Sequence, residues 1–444
     1  MTLINALRRL WKHAAFRRLL LLRVFSQAAD GTLQVGMASY ILFSPQSQPD
    51  AWSIAGVLAL TLLPFTIVGP FVSPLLDRWS RREVAFYSDI TRAVLALLIA
   101  VVIFSGLTSG VWQAVLYGAL LVAMSINRFM LAGLSAGLQH TVDEDEFITA
   151  SSIVPTVGPL GVVIGAGLGF GVRLTLGRVM ESHQADAMVF VISAVLFVGS
   201  VIMCSGFTRD ALGPDAPGER TRSIDVLRGL AEAGRHLGQR LPALVALIGM
   251  VVSRLLFGFF SVAIILAARN LWHETSETEA ALADLTLWGG LTGAGFVLAA
   301  ALVPVLVRPL GLRRTAVGLL SVGALLQCVT VFTDGKLALF VVSFGIGLIT
   351  QSFKICVDTL VQAHVDEQYK GRVFTFYDMG FNGAFVASAV IAAVALPPTG
   401  LDPVAFGVAA LIYLGTAVFV ALAARRIGVA QFERGTESLT RNAL

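Results

Sequence analysis

AWSIAGVLALTLLPFTIVGPFVSPLLDRWSRR, residues 51–82, carries two physical messages in one stretch. From Ala51 to Val72 nearly every side chain is apolar, and about 20 such residues wound as a helix cross a ~30 Å hydrocarbon core. Asp77, Arg78, Arg81 and Arg82 then crowd together. Ionised side chains are costly to leave in lipid, so the apolar run must end at a membrane surface. The stretch therefore reads as a membrane-crossing helix that stops in a charged loop.

The same alternation fills the rest of the 444 residues. Hydrophobic residues make up 56% and charged residues 14%, with a mean hydropathy of +0.80. A soluble domain carries about 25% charged residues, so this chain lacks the surface charge that water demands. Apolar periodicity predicts twelve spans, at 19–43, 51–74, 84–106, 111–137, 147–171, 187–206, 242–267, 284–307, 315–333, 337–361, 373–396 and 403–424. The fold class expected is all-α integral membrane. Residues 207–241 form the one long loop, with a Ser223-led amphipathic stretch through Ile224, Leu227 and Leu230. That linker divides two six-helix bundles, 19–206 and 242–424, flanked by an N-terminal segment 1–18 and a tail 425–444. The first of these flanks sets Leu3, Leu7, Leu10 and Trp11 against Arg8, Arg9 and Lys12, the pattern of a basic amphipathic helix on a membrane surface.

Basic residues fix the orientation. With the N-terminus inside, most of the 32 Lys and Arg fall in inner segments, and the outer loops hold only Arg173, Arg178, Arg269 and Lys336. Both termini are therefore expected in the cytoplasm, and the formal charge of +4 belongs to membrane edges rather than to a nucleic-acid surface. Cys204, Cys328 and Cys356 lie in or beside apolar segments, with no disulfide framework or metal knuckle among them. The halves also echo each other. Gln139-His140-Thr141-Val142-Asp143-Glu144 ends span four, and Gln362-Ala363-His364-Val365-Asp366-Glu367 ends span ten. Arg81-Arg82 closes the loop after span two, as Arg313-Arg314 closes the loop after span eight. Paired echoes at matching positions suggest a 6+6 duplication, which is frequent in secondary transporters.

The loop Gly69-Pro70-Phe71-Val72-Ser73-Pro74-Leu75-Leu76-Asp77-Arg78-Trp79-Ser80-Arg81-Arg82 resembles the signature that joins the second and third helices of the major facilitator superfamily. Ser73 and Ser80 stand where glycines are usual. The resemblance extends to Arg23 and Asp30-Gly31 in span one, Gly158-Pro159-x-Gly161 in span five, and Arg372-Val373-Phe374 with Asp378 in span eleven. These are similar to bacterial drug, siderophore and lysophospholipid exporters. It implies that Asp77, Arg78, Arg81 and Arg82 form a cytoplasmic gate, with Asp77 facing the start of span eleven near Gly371-Arg372. There, unsatisfied helix amides would favour an anion. It also implies that spans one, four, seven and ten line a central cavity.

Charges inside the spans each need a reason, since one at the bilayer centre costs at least ~2.5–3.5 kcal/mol on insertion scales. Arg23, Gln27, Asp30 and Gln34 recur at helical spacing and make one polar stripe on span one. Gln351, Lys354, Asp358 and Gln362 do the same on span ten. Asp30 and Arg128 lie at similar depth, about 17 and 15 Å along their helices, and are expected to be neighbours. They then serve proton coupling or substrate binding, or else simply tie two spans together. Arg254 either pairs with Asp358 or faces an anionic group of the substrate. Asp89 and Arg92, three residues apart, are expected to form a local ion pair behind the loop motif. Asp378 and Asn382 share a face of span eleven, as gate support or a proton relay. Gly161, Gly165 and Gly169 form a small-residue ridge on span five. Asp143–Glu146 reads as a solvated acidic run, or as a partner for a basic loop.

Gly133-Leu134-Ser135-Ala136-Gly137 fits a nucleophile pattern, yet that motif needs a strand–turn–helix elbow and here ends a membrane helix. No phosphate-binding Gly-x-x-x-x-Gly-Lys run occurs. The expectation is a multi-pass protein of a bacterial inner membrane. It would work as a monomer, with no cofactor beyond a proton gradient, and export hydrophobic or amphipathic small molecules. Contacts are expected with membrane lipids and none with nucleic acid. The rival within transport is a lysophospholipid or other lipid carrier, with Arg254 or Arg23 on the phosphate. The rivals outside it, a membrane enzyme or a non-transporting sensor, lack a catalytic cluster and a soluble domain.

Overall fold

Lipid offers no water to backbone amides, so a chain that crosses it must satisfy its own hydrogen bonds, and helices do so within one segment. A computed structural model describes residues 10–43, 51–67, 79–107, 110–143, 147–213, 223–274 and 277–435, and these are helical almost throughout. The long helices are α1 (Ala14–Phe43), α2 (Ala51–Ile67), α3 (Arg81–Phe104), α4 (Val111–Gly137), α5 (Phe147–Leu176) and α6 (Ser182–Ser205). After a linker helix (Ser223–Gln239) come α7 (Leu241–Asn270), α8 (Thr278–Leu310), α9 (Leu312–Phe332), α10 (Lys336–His364), α11 (Glu367–Ala395) and α12 (Pro403–Ile427). Among the described residues, 9 helices are long and apolar enough to cross a membrane, and α1, α2 and α5 complete the expected twelve.

Helix ends follow elementary capping. Ser80 Oγ accepts from the Glu83 amide at 3.3 Å and starts α3. Asp402 Oδ1 accepts from the Val404 amide at 3.1 Å, with Pro403 at the first position of α12. Helix α9 borrows its cap from the tail, where Glu433 Oε1 accepts from the Arg313 amide at 2.8 Å.

The chain divides into two units, Met1–Ser47 with Ile67–Val226, and Gln48–Thr66 with Leu227–Leu444. Nearly all of described α2 thus groups with the second unit, whereas the sequence reading put span two in the first bundle. Its apolar residues run all round the helix, leaving no polar stripe to fix which neighbours it takes. Within the first unit α1 packs on α5 and α6, and α3 on α4 and α6. Within the second, α7 packs on α11 and α12, and α9 on α10 and α12. The same pairing scheme occurs twice, as a duplicated half requires.

Small residues bring these helices together, because lipid-facing apolar surface gives little drive for association. A Cβ on Gly165 of α5 would overlap the backbone of Ala28, and one on Gly31 of α1 would overlap that of Val162. Thr32 Oγ1 donates to the Gly165 carbonyl at 2.8 Å across this seam. The expected ridge on α5 is therefore a packing surface for α1. In the second unit, Gly295 and Gly347 close α8 onto α10, and Gly258 of α7 sits against Ser388 of α11.

The linker helix lies on the start of α11. Ala233 and Leu237 are buried, His236 stacks on Tyr369 at 4.3 Å between ring centroids, and Arg240 Nη2 meets Asp366 at 2.7 Å. That hydrogen bond holds the Asp366 carboxyl below its ordinary value. Residues 1–9, most of the 207–241 loop's middle at 214–222, acidic residues 144–146, and 436–444 lie outside the described residues.

Candidate functional site

The stripe on α1 turns inward. Asp30 is 0% exposed, Gln27 6% and Arg23 9%, and Gln34 is half-buried. Both oxygens of Asp30 accept from Arg92 Nη1 of α3 at 2.9 Å, and Gln27 Nε2 adds a bond at 3.2 Å. Arg92 Nη2 donates to Ser26 Oγ at 2.7 Å and pairs with Asp89. The second oxygen of Asp89 accepts from Ser200 Oγ of α6. Gln27 Nε2 also reaches Asn127 Oδ1 of α4 at 3.4 Å, and the Arg92 guanidinium lies 4.5 Å over the Phe197 ring. Among the described residues, four helices of one unit thus enclose two carboxylates and a single guanidinium, all shut off from solvent. Arg23 stands apart and donates to Ser135 Oγ at 3.4 Å.

The expected Asp30–Arg128 neighbourhood falls on a side chain outside the described residues, and Asp30 has a partner that was not expected. Among the described residues the cation paired with Asp30 is Arg92. Rise along a helix fixes depth but not the direction a side chain takes. Helix α3 begins at Arg81, earlier than the expected 84, and its Arg92 reaches Asp30 directly. Asp89 and Arg92 do form the expected i,i+3 pair, but as part of this larger cluster rather than a local support. Ser26, Asn127, Phe197 and Ser200 were not singled out from sequence. Ser26 falls one turn before Asp30 on the same stripe, which was the available signal.

In the second unit the Arg254 guanidinium lies over three rings, Phe257 at 5.0 Å, Phe381 at 4.1 Å and Phe385 at 4.4 Å. Its Nε is buried with no hydrogen-bond partner among the described residues. The Arg254–Asp358 pairing weighed above does not occur, since Asp358 takes Lys354 one turn away on α10 at 2.9 Å. The Lys354 ammonium lies 5.2 Å over the Tyr377 ring. Asp378 and Asn382 do share a face of α11, joined by a 2.9 Å bond from Asn382 Nδ2 to the Asp378 carbonyl.

Of the loop motif, Asp77 and Arg78 lie outside the described residues. The other basic pair is tied to its own unit: Arg81 Nη1 donates to the Leu212 carbonyl at 3.2 Å, and Arg82 stacks 4.7 Å over Phe86. The expected anion seat at Gly371–Arg372 is displaced. Helix α11 starts at Glu367, with Asp366 as its N-cap residue, so its unpaired amides lie before Gly371. Arg372 instead approaches Glu232 of the linker helix at 3.8 Å.

Chemically, the first unit offers a sealed group that can gain or lose a proton, and the second an arginine with aromatic walls and a free hydrogen-bonding edge. Comparison with known proteins supplies the family. The family model of the Major Facilitator Superfamily matches residues 19–389. The MFS-type transporter Rv0037c of Mycobacterium tuberculosis is 32% identical over 419 residues, 93% of this chain and 91% of its own. The MFS-type transporter YfiS of Bacillus subtilis is 27% identical over 331 residues, 70% of each chain. Two solved structures share the fold at low identity. The nucleoside transporter NupG is 15% identical with a TM-score of 0.62, over 92% of this chain and 98% of that one. A POT family transporter in complex with a thioalcohol conjugated peptide is 10% identical with a TM-score of 0.65, over 92% and 96%. Repeated helix pairing, apolar spans and a match across most of the length converge on one assignment: the chain is a multi-pass membrane transporter of the major facilitator superfamily.

Proposed function

We propose that the protein is a proton-coupled antiporter of a bacterial cell membrane that exports hydrophobic or amphipathic small molecules by alternating access, with both termini in the cytoplasm. The observation that carries this reading is the sealed cluster of Asp30, Asp89 and Arg92. Two carboxylates around one guanidinium are neutral only when one proton is bound. An uncompensated charge costs several kcal/mol where water is excluded. Proton loss therefore favours a conformation that lets water reach the cluster, and proton binding favours the sealed one, which is how a proton can bias a two-state carrier. Asp30 is the coupling carboxylate in this scheme, because it joins α1 to α3 through Arg92, its other bond coming from Gln27 of its own helix. Asp89 keeps Ser200 as a further partner. The apolar character of the substrate is read from the aromatic side chains around Arg254, namely Phe257, Phe381 and Phe385.

The test is uptake and efflux of fluorescent amphiphiles in proteoliposomes with an imposed pH gradient. Asp30→Asn should abolish gradient-driven concentration while the variant still elutes as a folded monomer and still binds the probe. Concentration of the probe against its gradient by that variant would show that the proton sits elsewhere.

A further inference from the structure

Arg254 is a cation in an apolar setting with its faces satisfied and its edge idle. Stacking of a guanidinium on aromatic rings is favourable by roughly 0.5–2 kcal/mol, and here Phe257, Phe381 and Phe385 supply that interaction. Stacking uses none of the five N–H donors, which lie in the guanidinium plane. Among the described residues no hydrogen bond or ion pair to Arg254 is formed, and its Nε is sealed from water. Asp358 is taken by Lys354, and Asp378, one turn before Phe381 on α11, makes no ion pair with Arg254. A charge that a membrane helix carries at such cost, without a resident anion, is matched by an anion that comes and goes.

We propose that Arg254 is the anion-binding subsite of the substrate pathway. It would take a carboxylate, phosphate or sulfonate headgroup through its in-plane donor edge, while the apolar body of the same molecule lies against Phe257, Phe381 and Phe385. The planar fork of arginine binds such tetrahedral or planar oxyanions bidentately, in hydrogen bonds about twice as strong as neutral ones. The inference rests on the proposed transport of amphipathic molecules and narrows it to anionic ones.

The experiment uses the full chain in phosphatidylcholine nanodiscs, with binding followed by intrinsic tryptophan fluorescence. The probes are decanesulfonate, decyltrimethylammonium, decyl maltoside and methanesulfonate. The wild type should bind decanesulfonate about ten- to a hundredfold tighter than the cationic or neutral decyl compound, and methanesulfonate far more weakly. Arg254→Gln should erase the preference and retain the maltoside affinity, which serves as the check on folding. Because an unpaired buried charge costs stability, its removal should leave the fold intact. Arg254→Lys keeps the charge without the fork and should retain only part of the preference. Equal affinity of the wild type for all three decyl compounds, or a preference that survives Arg254→Gln, overturns the anion subsite. Methanesulfonate binding as tightly as decanesulfonate overturns the apolar half of it. Failure to bind any decyl compound overturns the amphiphile reading as well, whereas equal affinity of the wild type for the three decyl compounds with intact proton-driven transport overturns the subsite alone.

Discussion

Arg92 is the residue on which the first unit's charge balance turns, because among the described residues it alone pairs with both Asp30 and Asp89. Removing one partner of a buried ion pair costs about 3–5 kcal/mol, since the other is left uncompensated. Arg92→Ala leaves two such carboxylates, whereas Asp30→Asn leaves a matched Asp89–Arg92 pair. The expected order is therefore a large loss of thermal stability for Arg92→Ala and a small change for Asp30→Asn. The double variant should recover part of the loss, because one stranded charge is gone. Melting curves of the detergent-purified variants check this, and equal melting points for the two single variants would mean the cluster is not held by Arg92. Much of this was legible in sequence. Charges in lipid demand partners, which drew attention to Asp30, and the i,i+3 spacing paired Asp89 with Arg92. What sequence could not supply was direction about the helix axis, which decides that Asp30 meets Arg92 of α3. The hydroxyls of Ser26 and Ser200 carry no hydropathy signal at all.

At the scale of elements, close approach between helices is set by single hydrogen atoms. On α5, Gly165 faces α1, where a Cβ would overlap the backbone of Ala28, while a Cβ on Gly167 would meet nothing within 4 Å. The two glycines are two residues apart on the same helix, so their helix propensities are alike. Gly167→Ala should be neutral or stabilise by about 0.5–1 kcal/mol, the ordinary preference of a helix for alanine. Gly165→Ala should force α1 and α5 apart, break the Thr32 bond to the Gly165 carbonyl, and lower the melting temperature. Equal effects of the two substitutions would contradict the packed seam. The small-residue spacing of Gly161, Gly165 and Gly169 announced this surface in the sequence. The start of α11 was not announced, for an equally physical reason. Hydropathy marks where a helix enters lipid, near 373, but the backbone stays helical through the polar stretch Glu367–Arg372, held by the linker helix at Asp366 and Arg372.

For the whole molecule, twelve helices and a repeated half were readable because apolar length and period survive any detail of packing, and the same helix pairing recurs in both units. The halves have nonetheless diverged in charge. Among the described residues the first unit's sealed cluster carries one more carboxylate than it has cations, and Arg254 of the second has no paired anion. On the proposed cycle, with the proton on the first and an anionic substrate on the second, each turnover would move a proton inward and a negative charge outward. Both movements have the same electrical sense, so a potential that is negative inside drives them together. At 100 mV each charge contributes about 2.3 kcal/mol, and two contribute about 4.6 kcal/mol. Proteoliposomes loaded with decanesulfonate and given a potassium diffusion potential with no pH difference should therefore export it faster as the interior becomes more negative. Asp30→Asn should lose the proton's share of that response, and Arg254→Gln the preference for the anion that supplies the rest. An export rate indifferent to the potential would show that charge is balanced within the cycle, and the division of labour between a proton-carrying unit and an anion-binding unit would have to be abandoned.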